Sequence, residues 1–130
     1  MIGSGAFASC NLISADIGDG VTEIGIGAFY GNDITDLNIP DSVILISQSA
    51  FVLNKLTNLV IGNSAEVIGD FAFSENQLAN LDLPDSIKEI GNFTFSENEL
   101  TEVTIGDGTT KIDNYAFFDN KISTLLLAIT

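Results

Sequence analysis

The stretch Leu78-Ala79-Asn80-Leu81-Asp82-Leu83-Pro84-Asp85-Ser86-Ile87-Lys88-Glu89-Ile90-Gly91-Asn92-Phe93-Thr94-Phe95-Ser96-Glu97-Asn98-Glu99 decides the fold, because the chain on either side repeats its pattern. Phe95 has counterparts at Phe7, Phe29, Phe51, Phe73 and Phe117, each 22 residues from the next. Three residues after each Phe stand Cys10, Asn32, Asn54, Asn76, Asn98 and Asn120, and five before each stand Ile2, Ile24, Ile46, Ile68, Ile90 and Ile112. The Leu81 column continues through Ala15, Leu37, Leu59, Val103 and Leu125, and the Leu83 column through Ile17, Ile39, Ile61, Ile105 and Leu127. Self-similarity at a fixed period of this length is the signature of a solenoid, here of six turns.

Each unit carries an alternating apolar segment. Leu37 and Ile39 lie two apart, so an extended backbone points both inward and Asn38 outward. Gly18, Pro40, Gly62, Pro84 and Gly106 end these segments, and Asp19, Asp41, Asn63, Asp85 and Asp107 suit a turn whose side chain accepts a nearby backbone N–H. A second short strand ends at the Ile column, and the corner with Ala-Phe returns the chain to the next turn. Parallel pairing at roughly 4.7–4.9 Å per turn would stack the six turns to about 30 Å. A single turn cannot bury its own apolar face, so stability comes from its neighbours.

Composition sets the limits on chemistry. The 130 residues suit one domain, 1–130, and 45% of them are hydrophobic, so the chain is not an acidic disordered tail. Eighteen Asp and Glu stand against four Lys, with no Arg and no His, for a net charge of −14. Such a surface repels nucleic acid and anionic membranes. One Cys excludes an internal disulfide framework, and one Cys without His excludes the usual structural zinc sites. His-dependent triads and Arg phosphoryl clamps are likewise unavailable. Acidic residues on neighbouring rungs could approach glycosidase spacing, but an open face hydrates both carboxylates and gives neither a raised pKa. No enzyme activity and no cofactor are expected. Met1-Ile2-Gly3-Ser4 shows no basic n-region or h-region of a signal peptide, and no run is long enough to insert in a membrane.

The pattern from Leu78 through Pro84-Asp85-Ser86, Ile90-Gly91, Thr94-Phe95 and Asn98 resembles the BspA-like, Treponema-type leucine-rich repeat of bacterial surface proteins. The resemblance covers essentially the whole chain. It implies a β-rich leucine-rich-repeat solenoid with a parallel β-sheet on its concave face, a cell-surface or secreted location, and a role in adhesion to protein partners. The family often carries Cys in the Asn column, which matches Cys10.

In the repeat columns, the Asn side chains are expected to satisfy corner backbone groups and the Phe rings to stack in the core. Cys10 is expected to be a small buried residue in the Asn slot, with no His to activate it. Glu75, Glu97 and Asp119 fall in one column, read as solvated carboxylates rather than a calcium site.

Two surfaces are candidates for a protein partner, possibly a basic one. The first is the outward strand positions Asp36, Asn38, Asn58, Asn80, Asp82, Glu102 and Thr104. The second is Phe71, Phe93 and Tyr115, two residues before successive Phe columns, which form either an exposed docking stripe or extra core. A structural spacer of a surface protein and a carbohydrate-binding solenoid are the alternatives.

The ends carry a further expectation. Solenoids need polar caps, yet Leu125-Leu126-Leu127-Ala128-Ile129-Thr130 is apolar on both faces, with Leu126 outward and Ile129 in place of the turn Asp. The chain is therefore expected either to be a segment of a longer array or to form an end-to-end homodimer through its C-terminal turn.

Overall fold

The computed structural model describes residues 1–128; Ile129 and Thr130, the last two positions of the apolar run, lie outside the described residues. The chain is a parallel-strand β-solenoid with no helix among the described residues, so none is long and apolar enough to cross a membrane.

Five short strands end at the Ile column: β1 (Glu23–Ile24), β3 (Leu45–Ile46), β5 (Val67–Ile68), β7 (Glu89–Ile90) and β9 (Lys111–Ile112). They form one unbroken parallel sheet in that order, extended by a bridge from Ile2 to Ile24. Five longer strands carry the Leu-x-Ile pattern: β2 (Asp36–Ile39), β4 (Asn58–Ile61), β6 (Asn80–Asp82), β8 (Glu102–Ile105) and β10 (Thr124–Leu127). Their pairings obey the 22-residue register, Leu37 opposite Leu59 and Leu81 opposite Val103. About five turns are therefore complete in both strands. The expected sixth segment, Ser14–Ile17, forms no strand.

The longer strands do not make one sheet. They divide into β2-β4 and β6-β8-β10. The break falls just before β6, and β2 likewise has no strand paired before it; both strands run into a proline. Ala128 shows what the position does otherwise: its N–H donates to Ile105 O at 3.0 Å in the preceding turn. Pro40 and Pro84 occupy the same position in their turns and have no N–H to donate, so each starts a new sheet at its edge. The turn after each proline supplies a glycine. A Cβ on Gly62 would lie 2.6 Å from the Pro40 carbonyl, and one on Gly106 would lie 2.5 Å from Asp85 Oδ1. Only glycine lets these successive strand ends close together.

Between the two sets of strands lies the core. Ile24, Ile39, Ile46, Leu56, Ile68, Leu78 and Leu83 are fully buried with Phe51, Phe73 and Phe95. All six column phenylalanines stack in one file, with ring centroids 5.1–5.5 Å apart. The file protrudes at its ends, where Phe7 is 45% exposed and Phe117 is partly buried. Cys10 departs from expectation for the same reason: it is exposed, not buried. In the described turns its slot has cover on one side only, so its backbone N–H reaches Asn32 Oδ1 (3.0 Å) while its thiol faces outward, against Ala8 O.

The turn carboxylates act between turns rather than within them. Asp41 Oδ1 accepts the N–H of Asn63, and Asp85 Oδ1 that of Asp107, each 22 residues on. A side chain read as a local turn former thus clamps successive rungs.

Candidate functional site

The outward positions of the longer strands form the larger polar face. Asp36, Asn38, Asn58, Asn80, Asp82 and Glu102 are exposed, and Thr104 is half-buried. Their direction follows from alternation, since Leu37, Leu81 and Val103 between them are buried. Asn58 Nδ2 donates to Asp36 Oδ1 at 2.6 Å across β2 and β4, which leaves the other Asp36 oxygen to Thr35 Oγ1.

The proline break gives this face relief. Between β4 and β6 lies a cleft of about 430 Å³, lined by Asn58, Leu59, Val60, Asn80, Asp82 and Glu102 among others. No backbone hydrogen bond joins β4 to β6 among the described residues. The even-numbered amides of β4 turn toward β2, as Asn58 N–H to Thr35 O shows, and the odd-numbered amides of β6 turn toward β8, as Leu83 N–H to Thr104 O shows. By this alternation the N–H groups of Leu59 and Ile61 on one wall, and of Asn80 and Asp82 on the other, face the cleft. Main-chain donors there are free for water or a ligand.

The structure therefore brings Asn58, Asn80, Asp82, Glu102 and Thr104 to one cleft. Asp36 joins it through Asn58, whereas Asn38 lines a neighbouring depression with Asp41 and Asn63. Thr57 and Leu59 were not singled out by sequence, and Val60 shares the outward column of Asn38 and Asp82. Leu59 belongs to a core column and is only half-buried beside the open seam, and Val60, an outward position of β4, is 62% exposed. The signal that could have found them is Pro84, which cannot complete a ladder to the strand before it.

Phe71, Phe93 and Tyr115 are not core. They stack at 5.0 Å centroid spacing, with Phe71 39% and Tyr115 62% exposed, and Phe93, the middle ring of the stack, half-buried. Phe118, absent from the sequence reading, stands edge-on against Phe93 and Tyr115. Among the described residues, no group of three or more His, Cys, Asp and Glu side chains is arranged to hold a metal ion.

All four lysines form exposed ion pairs: Lys55 with Asp33, Lys88 with Glu66, Lys121 with Glu99 and Lys111 with Asp113. The hydrogen bond it donates to Asp113 holds the Lys111 ammonium above its usual range, and the one donated to Glu99 does the same for Lys121. Three of the four pairs span one repeat, so the sparse positive charge is spent on tying adjacent turns, and the strand face stays acidic.

The family comparison agrees with this architecture. The family model described as the BspA type leucine-rich-repeat region matches residues 1–123, in six copies. The chain belongs to the BspA-type leucine-rich-repeat family. BspA-type repeats typically serve as protein-interaction or adhesion modules, are typically non-catalytic, and typically occur on surface or secreted proteins.

Among solved structures, the chain is similar to a leucine-rich repeat protein from Eubacterium ventriosum at 23% identity and a TM-score of 0.72. That match covers 83% of this chain and 30% of the other, and it shows a shared fold. A leucine-rich repeat protein from Bacteroides ovatus is similar at 19% identity and a TM-score of 0.49, over 99% of this chain and 53% of the other. This BspA-type chain thus spans about a third and about half of the lengths of those two proteins. Comparison with curated proteins finds no match.

Proposed function

We propose that the chain is a non-catalytic protein-binding module of a surface or secreted protein, and that its strand face takes an extended, cation-bearing segment of a partner. The observation that supports this most is the seam between β4 and β6. Strand-like N–H groups that the ladder leaves unpaired lie there beside Asn80, Asp82 and Glu102, on a chain of net charge −14. Unpaired main-chain groups in β geometry suit an extended peptide, and the acidic rim suits its basic side chains.

Binding to candidate basic partners should weaken steeply between low and physiological salt. The double variant Asp36→Asn/Asp82→Asn should lose most of it while folding normally. A spacer would bind none of the partners at any salt, and that result would replace this reading.

A second reading rests on β10. Leu125, Leu126 and Leu127 are all about half exposed, although Leu125 and Leu127 belong to core columns. Nothing among the described residues packs over them, and an apolar open strand is a template for pairing. End-to-end association of two copies through this strand would cover it.

A further inference from the structure

Phe71, Phe93 and Tyr115 form a surface distinct from the strand face, and the fold does not need them. All three hold left-handed backbone angles, φ 60°, 55° and 58°, where the first three turns have Gly5, Gly27 and Ser49. Ser49 builds the same corner with φ 59° and donates its N–H to Asp70 O at 2.8 Å, as Phe71 donates to Asn92 O at 2.9 Å. A serine therefore makes this turn as well as an aromatic ring does.

What the rings add is a continuous apolar edge. They lie nearly parallel, at 4° and 16°, so each covers its neighbour's face and presents its rim outward. Beside them runs a column of exposed carboxylates, Glu75, Glu97 and Asp119, four residues further on in each turn. The N–H groups of Ser74, Ser96 and Phe118 return to the carbonyls of Phe71, Phe93 and Tyr115 at 3.0–3.1 Å, which keeps the two columns side by side along the stack. None of the four ion pairs reaches this column.

We propose that this aromatic edge docks an extended protein segment whose lysine or arginine side chains lay their stems across the ring rims and their heads on the carboxylate column. Long cationic side chains bury methylenes on apolar surface while the charged end remains at a polar site. The chemistry disfavours the other occupants. A second copy would bring another −14 net charge against the column. A sugar platform requires a row of open ring faces, and here the facing surfaces are covered by the neighbouring ring, which leaves only the outer faces of the two end rings. Two lysines two residues apart in an extended segment sit about 7 Å apart, within reach of three stacked rungs.

The test uses two synthetic probes: a decapeptide alternating Lys and Ser, and its counterpart with 2,4-diaminobutyric acid for Lys. Charge is the same, and each cationic stem is two methylenes shorter. Titrated into the ¹⁵N-labelled chain, the lysine probe should shift amides around Phe71, Phe93, Tyr115 and Glu97, and should bind about tenfold more tightly than the short-stem probe. The variant Phe71→Ser/Phe93→Ser/Tyr115→Ser, which copies the native Ser49 corner, should lose that preference, whereas Asp36→Asn/Asp82→Asn should retain it. Glu75→Gln/Glu97→Gln/Asp119→Asn, which leaves the rings in place, should weaken both probes. Equal affinity for the two probes, or shifts confined to the strand face, would overturn the proposal and leave only the general attraction of an acidic molecule. Dissociation of a dimer by the triple serine variant would overturn it in favour of a second copy.

Discussion

Asn76→Ala should destabilise the chain by about 2–3 kcal/mol, the upper part of the range of about 1–3 kcal/mol that one orphaned buried group costs. Asn76 Oδ1 accepts the Leu56 N–H at 3.0 Å from the preceding turn. Its Nδ2 donates to Phe51 O in that turn at 3.0 Å and to Phe73 O in its own at 3.1 Å, with Ser74 O at 3.3 Å. The side chain is buried, so alanine strands the Leu56 N–H, while each carbonyl keeps one other donor: Asn54 Nδ2 on Phe51 O, Asn98 Nδ2 on Phe73 O and the Leu53 N–H on Ser74 O. The stranded donor sets the range, and the loss of one of two bonds at each carbonyl places the value in its upper part. Asn120 provides an internal control. It makes the same set of bonds, to Leu100 N–H, Phe95 O and Phe117 O, but in a half-exposed corner. Water can replace them there, so Asn120→Ala should cost only about 0.5–1 kcal/mol. Asn76→Asp removes the donor and buries a charge, so its loss should shrink as pH falls and the carboxyl takes up a proton. Urea unfolding followed by far-ultraviolet circular dichroism measures all three variants. Equal losses at Asn76 and Asn120, or a loss below about 1 kcal/mol at Asn76, would refute the argument that the column ties turns together through buried bonds.

Phe73→Ala removes a fully buried ring from the middle of the file and should cost about 3–5 kcal/mol in urea unfolding, whereas Phe7→Ala at the exposed end should cost far less. Pro84→Ala restores the N–H that Ala128 uses in the last turn, and should slow hydrogen exchange at the amides of Leu59, Ile61 and Asp82 by closing the seam; exchange that stays fast would show that the proline does not cause the break. Leu126→Asp should abolish any self-association seen by light scattering, and raised salt should strengthen that association in the unaltered chain by screening its net charge. A strictly monomeric particle at micromolar concentration would remove the end-to-end reading.

Most of the architecture is legible in the chain because the repeat makes every column report the same environment several times. A residue that recurs every 22 positions, apolar at Leu81 and Ile90 and an amide at Asn98, has no reading other than a stack of equivalent turns. The Phe file, the inward and outward alternation of the longer strands and the parallel register all follow from that, and all are present.

Periodicity, however, describes an average turn, and the candidate sites lie where turns differ. The pattern treats Pro84 and Gly62 as equivalent strand stops, but a missing N–H matters only once a neighbouring carbonyl is placed opposite it, so the seam and its cleft appear only in three dimensions. Cys10 and Phe7 share columns with buried residues and are exposed, because burial of a rung depends on what lies above and below it. Asp41 and Asp85 could be read as local turn formers, and only stacking shows that their carboxylates hold the amide of the next turn. For Phe71, Phe93 and Tyr115 the sequence by itself determined that three rings share a column. Whether they fold over the corner or face water was settled by the left-handed backbone there, which turns the rings outward into a stack of their own.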